Sequence, residues 1–361
     1  MARIIARILH GVQHFLSSIL SFGSSVSAYL FRLLTNLPTN NRTPPNPPTL
    51  KGAEKCRFPL SNDSSSTFTL SDGRKLGYAQ YGLLTGRPIL YMHGLPGSRI
   101  EAAAYHDLGL ELGARIVSVD RPGIGWSSPH PGRKLLDFPK DVGELAEHLG
   151  LESYAVMGVS GGGPYVLACA AALPREKLRC VSVVCGLGPP DIGMKGAGLV
   201  SKLGFPYGWR YGPTFLFRWF FQSDIIGRID LPDEKRLEVM LSPSRLASIT
   251  NKKDLDFLGD EDAMRLLLRG SREYHAQGIY GIREDGRAMC VDWGFRVEDI
   301  REDLPVHLWY GKQDITVPLN HGVQIAARLG GRAHLQVEDE THASIFANCK
   351  QETLEQILKE M

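Results

Sequence analysis

Ser160 lies in the stretch Gly158-Val159-Ser160-Gly161-Gly162-Gly163, with an apolar run before it (154–157) and another after it (164–173). Glycines around a serine at a strand-to-helix junction suit a hydroxyl held out on a tight turn, because small neighbours let strand and helix approach closely. The other reading is a glycine-rich turn with an idle serine. A hydroxyl becomes a useful nucleophile only when a base takes its proton, and the base needs an orienting carboxylate. Two downstream segments supply such groups. "LWYGKQDITVP" places Asp314 just beyond an expected strand, and "VEDETHASIF" places His342 just beyond the next, at the start of the last helix. Ligands bind at the carboxyl ends of parallel strands, so Ser160, Asp314 and His342 are the predicted catalytic residues. His307 and His334 fall inside strands, His321 opens a helix and His275 lies in an insertion, all of which point to structural or surface roles. Asp339 is the second candidate for the acid, close to His342 in sequence and badly placed to aim at its ring.

Acyl transfer develops negative charge on the carbonyl oxygen, and a preset N–H donor there is worth about 3–4 kcal/mol. The amide of Gly161, directly after the serine, is one predicted donor. The amide of Leu95 in "HGLPGS" is the other, with Gly94 and Gly97 letting that loop fold back. His93 and Gly94 of the same loop, and Trp293 of "VDWGF", are predicted to line the substrate pocket.

These residues need a scaffold that brings distant strand ends to one rim. "STFTLSDGRKLGYAQYG" reads as two short strands around a Ser-Asp-Gly-Arg turn. Apolar runs at 88–94, 114–123, 154–157 and 178–188 then alternate with helical patterns at 107–113, 138–150 and 162–173. Such alternation argues for a parallel sheet with helices on both faces. The rhythm breaks from Pro189 to about Glu302 and returns with a strand at 304–311, a helix at 320–330, a strand at 332–340 and a terminal helix near 343–360.

The motifs "HGLPGS", "DRPGIGWSS", "GVSGGGP", "YGKQDITVP" and "ETH", in this order, resemble the α/β-hydrolase superfamily over residues 68–189 and 303–360. The resemblance implies a mostly parallel eight-stranded sheet flanked by helices, with a helical cap inserted after strand six. The core would be 54–189 and 303–361, and the cap 190–302. The turn Asp120-Arg121-Pro122-Gly123-Ile124-Gly125 resembles the family's turn after strand four and is taken as structural. Serine at the elbow separates the chain from dehalogenases and epoxide hydrolases, which carry aspartate there. "HGLPG" departs from the His-Gly-Gly-Gly of hormone-sensitive-lipase-type esterases. It partly resembles the His-Gly-Gly-Pro-Gly of proline iminopeptidases, whose elbow usually carries tryptophan where Gly161 stands.

The expected reaction is hydrolysis of an ester, thioester or small amide of a largely apolar substrate through an acyl-enzyme, with no metal or organic cofactor. A proline-iminopeptidase-like aminopeptidase is an alternative. A cofactor-free lyase or a non-catalytic ligand-binding member of the same fold is another. The insertion is expected to cover the pocket. Its aromatic run (Phe205, Tyr207, Trp209, Tyr211, Phe215, Phe217, Trp219, Phe220 and Phe221) points to an apolar acyl or aromatic ligand, or else packs the cap helices.

The 361 residues are 43% hydrophobic and 22% charged, an ordinary mixture able to bury a core. A net charge of +2 argues against nucleic acid as a partner. Six scattered cysteines form neither a C-x-x-C pair nor a zinc-spaced cluster. Charge is uneven. Residues 1–53 hold Arg3, Arg7, Arg32, Arg42 and Lys51 and no acidic residue. Within 1–36 an apolar stripe (Ile4, Ile8, Val12, Phe15, Ile19) recurs at helical spacing. Such a start resembles a mitochondrial transit peptide and also fits a helix in a membrane interface. A secretory signal with a Val-Ser-Ala site at 26–28 and a simple packing helix are further readings. Residues 37–53 read as a proline-rich linker.

Overall fold

The structure, a computed structural model, describes residues 56–361. The expectations for 1–36 and for the linker 37–53 lie outside the described residues.

Eight strands form one sheet: β1 (Ser65–Thr69), β2 (Lys75–Gly82), β3 (Arg87–Met92), β4 (Ala114–Val119), β5 (Tyr154–Val159), β6 (Leu178–Val184), β7 (Val306–Gly311) and β8 (His334–Glu338). Their order across the sheet is β1-β2-β4-β3-β5-β6-β7-β8. β1 and β2 form the expected hairpin, Thr69 opposite Lys75, and β2 is also antiparallel to β4. Every other pairing is parallel. The central strands β5, β6 and β7 are almost wholly buried along their length. Strands covered on both faces gain from unbroken Val, Ile and Leu runs, which is why they read as continuous apolar segments.

The helices of the α/β core are α1 (His106–Leu112), α2 (Phe138–His148), α3 (Gly163–Ala172), α9 (Asn320–Arg328), α10 (His342–Asn348) and α11 (Lys350–Lys359). Phe138, Val142 and Leu145 of α2, Tyr165 and Val166 of α3 and Ile325 of α9 pack into one buried cluster. Ile345 of α10 and Leu354 and Ile357 of α11 join a second cluster with Tyr91 and Tyr105. The terminal helix expected as one piece is two, divided at Cys349.

Between β6 and β7 the chain forms helices and no strand. The longer ones are α4 (Thr214–Ser223), α5 (Asp233–Met240), α6 (Lys252–Leu258), α7 (Glu261–His275) and α8 (Ile279–Cys290). Buried ion pairs tie this segment to the sheet. Arg99, fully buried, donates to Asp120 at 2.8 Å and to Glu273 of α7 at 2.7 Å, and its guanidinium lies 4.0 Å from the Trp126 ring centroid. The Asp120 carboxylate also accepts the amides of Arg99 and Trp126. Burial of charge is tolerable only with such complete pairing.

Replacing Arg99 by leucine would strand the fully buried Asp120 carboxylate and leave Glu273 with Arg269 as its one cation among the described residues. The expected loss is about 3–5 kcal/mol of stability, read as a lower urea midpoint with an unchanged m-value.

Candidate active site

β5 ends at Val159 and α3 begins at Gly163, so Ser160 occupies the turn between them. Its φ of 53° lies in the left-handed region, which a residue with a side chain adopts at a cost of about 1–3 kcal/mol. Close backbone packing maintains it. A Cβ on Gly162 would come within 2.1 Å of the Met92 carbonyl oxygen, so no larger residue fits between the turn and β3. The turn lifts the serine hydroxyl to the carboxyl rim of the sheet.

Asp314 follows β7 and His342 follows β8, at the same rim. The imidazole Nε2 lies 2.8 Å from Ser160 Oγ, and Nδ1 lies 2.6 Å from Asp314 Oδ2. The other carboxylate oxygen of Asp314 accepts the amides of Thr316 and Val317 at 2.7 and 2.9 Å, which holds the group pointing at the ring. His342 is the first residue of α10. The cap residue Thr341 and Ser344 exchange side-chain and backbone hydrogen bonds, fixing where the helix starts and therefore where the ring stands. With Nδ1 donating to the carboxylate, Nε2 is left as the acceptor facing the serine hydroxyl.

The loop after β3 brings Leu95 against Gly161. A Cβ on Gly161 would lie 3.0 Å from the Leu95 amide nitrogen and 2.6 Å from its Cβ, so glycine is what allows the two backbones to meet. The amide of Gly94 is taken by Glu101, whose buried carboxylate also accepts the Tyr91 hydroxyl. That engagement takes the Gly94 amide out of use as a donor to a substrate oxygen. Burial pushes the Glu101 carboxyl above its usual range.

Arg121 holds the same loop from behind. It donates to the carbonyls of His93 and Gly94, and forms a buried pair with Asp285 of α8 at 2.8 Å. Asp285 also accepts from Arg133 and from the Tyr165 hydroxyl. Burial alone would raise the Asp285 carboxyl, but Arg121 and Arg133 outweigh it and hold it at about 2. Arg121, Asp285 and Glu101 were not legible as site residues in the sequence. The only signal was Arg121 inside "DRPGIG", and nothing along the chain connects it to Asp285.

A cavity of about 450 Å³ opens at Ser160 and His342. Its walls are largely apolar: Leu95, Ala104, Val159, Phe346, and from the insertion Ile226, Phe257, Leu266 and Leu267. Arg57, Asp260 and Lys350 also reach it. Gly94 lines it as expected, but His93 and Trp293 do not. His93 is fully buried beneath the loop, where Nδ1 sits 2.9 Å from the Gly94 carbonyl and Nε2 faces the Arg121 amide. Burial and the Arg121 cation push its pKa well below the ordinary value, so it is a neutral loop support. Trp293 turns away to donate to the Met289 carbonyl and stacks on Phe295. The aromatic run is also absent from the cavity wall. Trp209 and Phe217 pack into the core, and Tyr207, Tyr211 and Phe215 face outward.

The competing histidines stay apart from Ser160. His321 accepts the Gly188 amide, His275 bonds to Ser271, and His307 stacks on His334. Asp339 accepts from Gln313 at the surface. One thiol, an aspartate and a histidine do converge, since donor atoms of Cys185, Asp314 and His342 lie within 4.8 Å of one another. Two of those atoms already form the 2.6 Å carboxylate–imidazole bond. All six cysteines are unpaired.

A parallel sheet with a serine elbow after β5, a carboxylate after β7 and a histidine after β8 defines an α/β hydrolase architecture. Residues 87–348 match the alpha/beta hydrolase fold family, and the chain belongs to it. An uncharacterized hydrolase, YcgS of Bacillus subtilis (strain 168), is 36% identical over 105 residues, 29% of this chain and 36% of that protein. A proline iminopeptidase of Arabidopsis thaliana is 31% identical over 33% of this chain and 32% of its own length. The chain thus spans about a third of these relatives. A non-heme haloperoxidase of Rhodococcus erythropolis is 24% identical over 74% of this chain and 89% of its own. Among solved structures, an esterase from Rhodococcus sp. ECU1013 superposes with a TM-score of 0.56 at 17% identity, covering 82% of this chain and 98% of that one. That likeness speaks to fold alone.

The charge state of His342 follows from its neighbours. Burial disfavours the imidazolium, but Cys185 and Asp314 beside the ring favour it, and the net shift is well upward from 6.5. A raised histidine pKa means the ring keeps its proton to higher pH and becomes neutral only above that value. NMR titration should find the His342 ring above 6.5, and Asp314→Asn should bring it down.

Proposed function

We propose that the protein is a serine hydrolase that cleaves esters of apolar acyl groups through an acyl-enzyme. The observation that carries this reading is the unbroken relay from Asp314 Oδ2 to His342 to Ser160 Oγ, at 2.6 and 2.8 Å, on the wall of an apolar cavity. In the proposed cycle Ser160 Oγ attacks the substrate carbonyl carbon while His342 Nε2 takes the hydroxyl proton. The oxyanion that forms is met by the amides of Leu95 and Gly161. His342 then returns the proton to the leaving alkoxide as the carbon–oxygen bond breaks. Water, deprotonated by the same ring, attacks the acyl-enzyme and releases the acid and Ser160. Asp314 keeps Nδ1 protonated and stabilises the imidazolium.

Charge in the cavity favours esters over aminoacyl amides. An aminopeptidase needs a free carboxylate for the substrate ammonium. Asp260 is already paired with Arg57, Lys350 adds a further cation, and Glu101 is engaged with Tyr91 and Gly94. Apolar side chains of the insertion, Ile226, Phe257, Leu266 and Leu267, form the surface on which an acyl chain would lie. The insertion thereby acts as a cap.

A fluorophosphonate should label the full chain, and Ser160→Ala should abolish both labelling and turnover of p-nitrophenyl butyrate, with kcat lowered by about 10⁵–10⁶-fold. Persistent label, or faster turnover of proline p-nitroanilide than of any ester, would overturn the assignment. Because His342 must be neutral to act as base, kcat/KM should fall as pH drops through its raised pKa. Ala263 lines the cavity beside Leu266 and Leu267, and narrowing it with Ala263→Phe should shorten the preferred acyl chain. Discrimination of about 1–3 kcal/mol per excluded methylene predicts a loss of 10-fold or more on the longest accepted esters, with acetate spared.

A further inference from the structure

Helix α4 has the sequence TFLFRWFFQS. Its inner face carries Phe217 and Phe221, whose ring centroids lie 4.6 and 6.0 Å from that of Trp209. Its outer face exposes Phe215, Leu216 and Phe220, with Phe215 66% exposed. The preceding turn Leu199–Leu203 exposes Leu199, Val200 and Leu203, and Tyr207 and Tyr211 stand exposed between the two segments. The Gly198 amide donates to the Ile315 carbonyl at 2.7 Å. Ile315 is itself exposed and adds to this surface, beginning one residue from Asp314. A helix apolar on both faces is only half satisfied by its own fold. At the areas typical of aromatic and aliphatic side chains, the exposed parts of these residues sum to roughly 1,000 Å² of apolar surface within one stretch of the insertion and at Ile315.

Charge decides what covers it. Residues 192–223 contain Lys195, Lys202, Arg210 and Arg218 and no acidic residue. Among the described residues none of the four has a carboxylate within ion-pairing distance. A second copy docked face to face would set these cations against their own kind. Residues 1–53, with five basic groups and no acidic one, are equally mismatched. An anionic bilayer suits both halves of the surface. Aliphatic and phenyl groups enter the headgroup boundary, lysine and arginine extend to lipid phosphates, and tyrosines keep a wet hydroxyl on an apolar ring. No helix among the described residues is long and apolar enough to cross a membrane, so the contact would be interfacial. From this combination we infer that the outer face of residues 199–220 docks on an anionic lipid surface. The surface is independent of the reaction proposed above.

The test compares full-length parent with the triple variant Leu203→Ser, Phe215→Ser, Phe220→Ser, and with Lys202→Gln/Arg218→Gln. Each is mixed with phosphatidylcholine vesicles with or without about 30 mol% phosphatidylserine. None of these residues touches the cavity at Ser160, so hydrolysis of soluble p-nitrophenyl butyrate and the melting temperature report folding. The triple variant should partition at least about tenfold less, because it removes three of the apolar side chains that would enter the headgroup boundary. The charge variant should lose binding to anionic vesicles only. A fluorophore on Leu216→Cys should shift to the blue when vesicles are added. Equal partitioning of parent and triple variant, a parent that ignores vesicles, or a fluorophore that stays in water would overturn the inference. So would a lipid-free dimer that the triple variant dissolves, which would assign the face to a second copy.

Discussion

A serine held at a positive φ is the constraint on which the site depends. Left to itself Ser160 would relax toward ordinary backbone and its hydroxyl would swing away from the ring. It does not, because the turn is pressed between β3, β5 and α3 with glycine backbones in direct contact. The strain is offset by the burial of the whole sheet. Everything the hydroxyl can do follows from that position, since it is what places Oγ within 2.8 Å of His342 Nε2.

Buried charge makes the surroundings rigid. Arg121 gathers the carbonyls of the loop after β3, and its partner Asp285 comes from α8, far along the chain. Arg99 joins Asp120 at the end of β4 to Glu273 of α7. Burying such pairs is no route to great stability, because desolvation cancels most of the attraction. What they provide is direction. With its carbonyls turned toward Arg121, the loop lies against Gly161 beside the serine, and the insertion is tied to the same rim. The apolar wall from α6 and α7 then faces the serine across a fixed gap.

The insertion divides its apolar residues between three destinations. Trp209 and Phe217 fill its own interior, Phe257, Leu266 and Leu267 line the cavity, and the outer side chains of 199–220 remain exposed. Along the chain these groups look alike. Aromatic density at 205–221 points to a ligand, yet the cavity draws instead on scattered aliphatic positions farther on. Periodicity reports that a helix has an apolar face and says nothing about what the face meets.

The meeting of Ser160, Asp314 and His342, the folding of the Leu95 loop back against Gly161 and the strand–helix rhythm were readable in the sequence. Each depends on local chemistry: glycines that permit a tight turn, apolar runs that must be covered on both faces, polar residues just past a strand end. A parallel sheet then places all its strand ends on one rim, so chain order suffices to predict that the three meet. The burial of His93, the turning away of Trp293 and the convergence of Glu101, Arg121 and Asp285 on the loop were decided only by the tertiary structure. Those outcomes rest on contacts between residues up to 164 positions apart, as in the Arg121–Asp285 pair. No local pattern encodes which buried cation finds which carboxylate, because that pairing is settled by how the insertion packs and by the cost of leaving either charge alone.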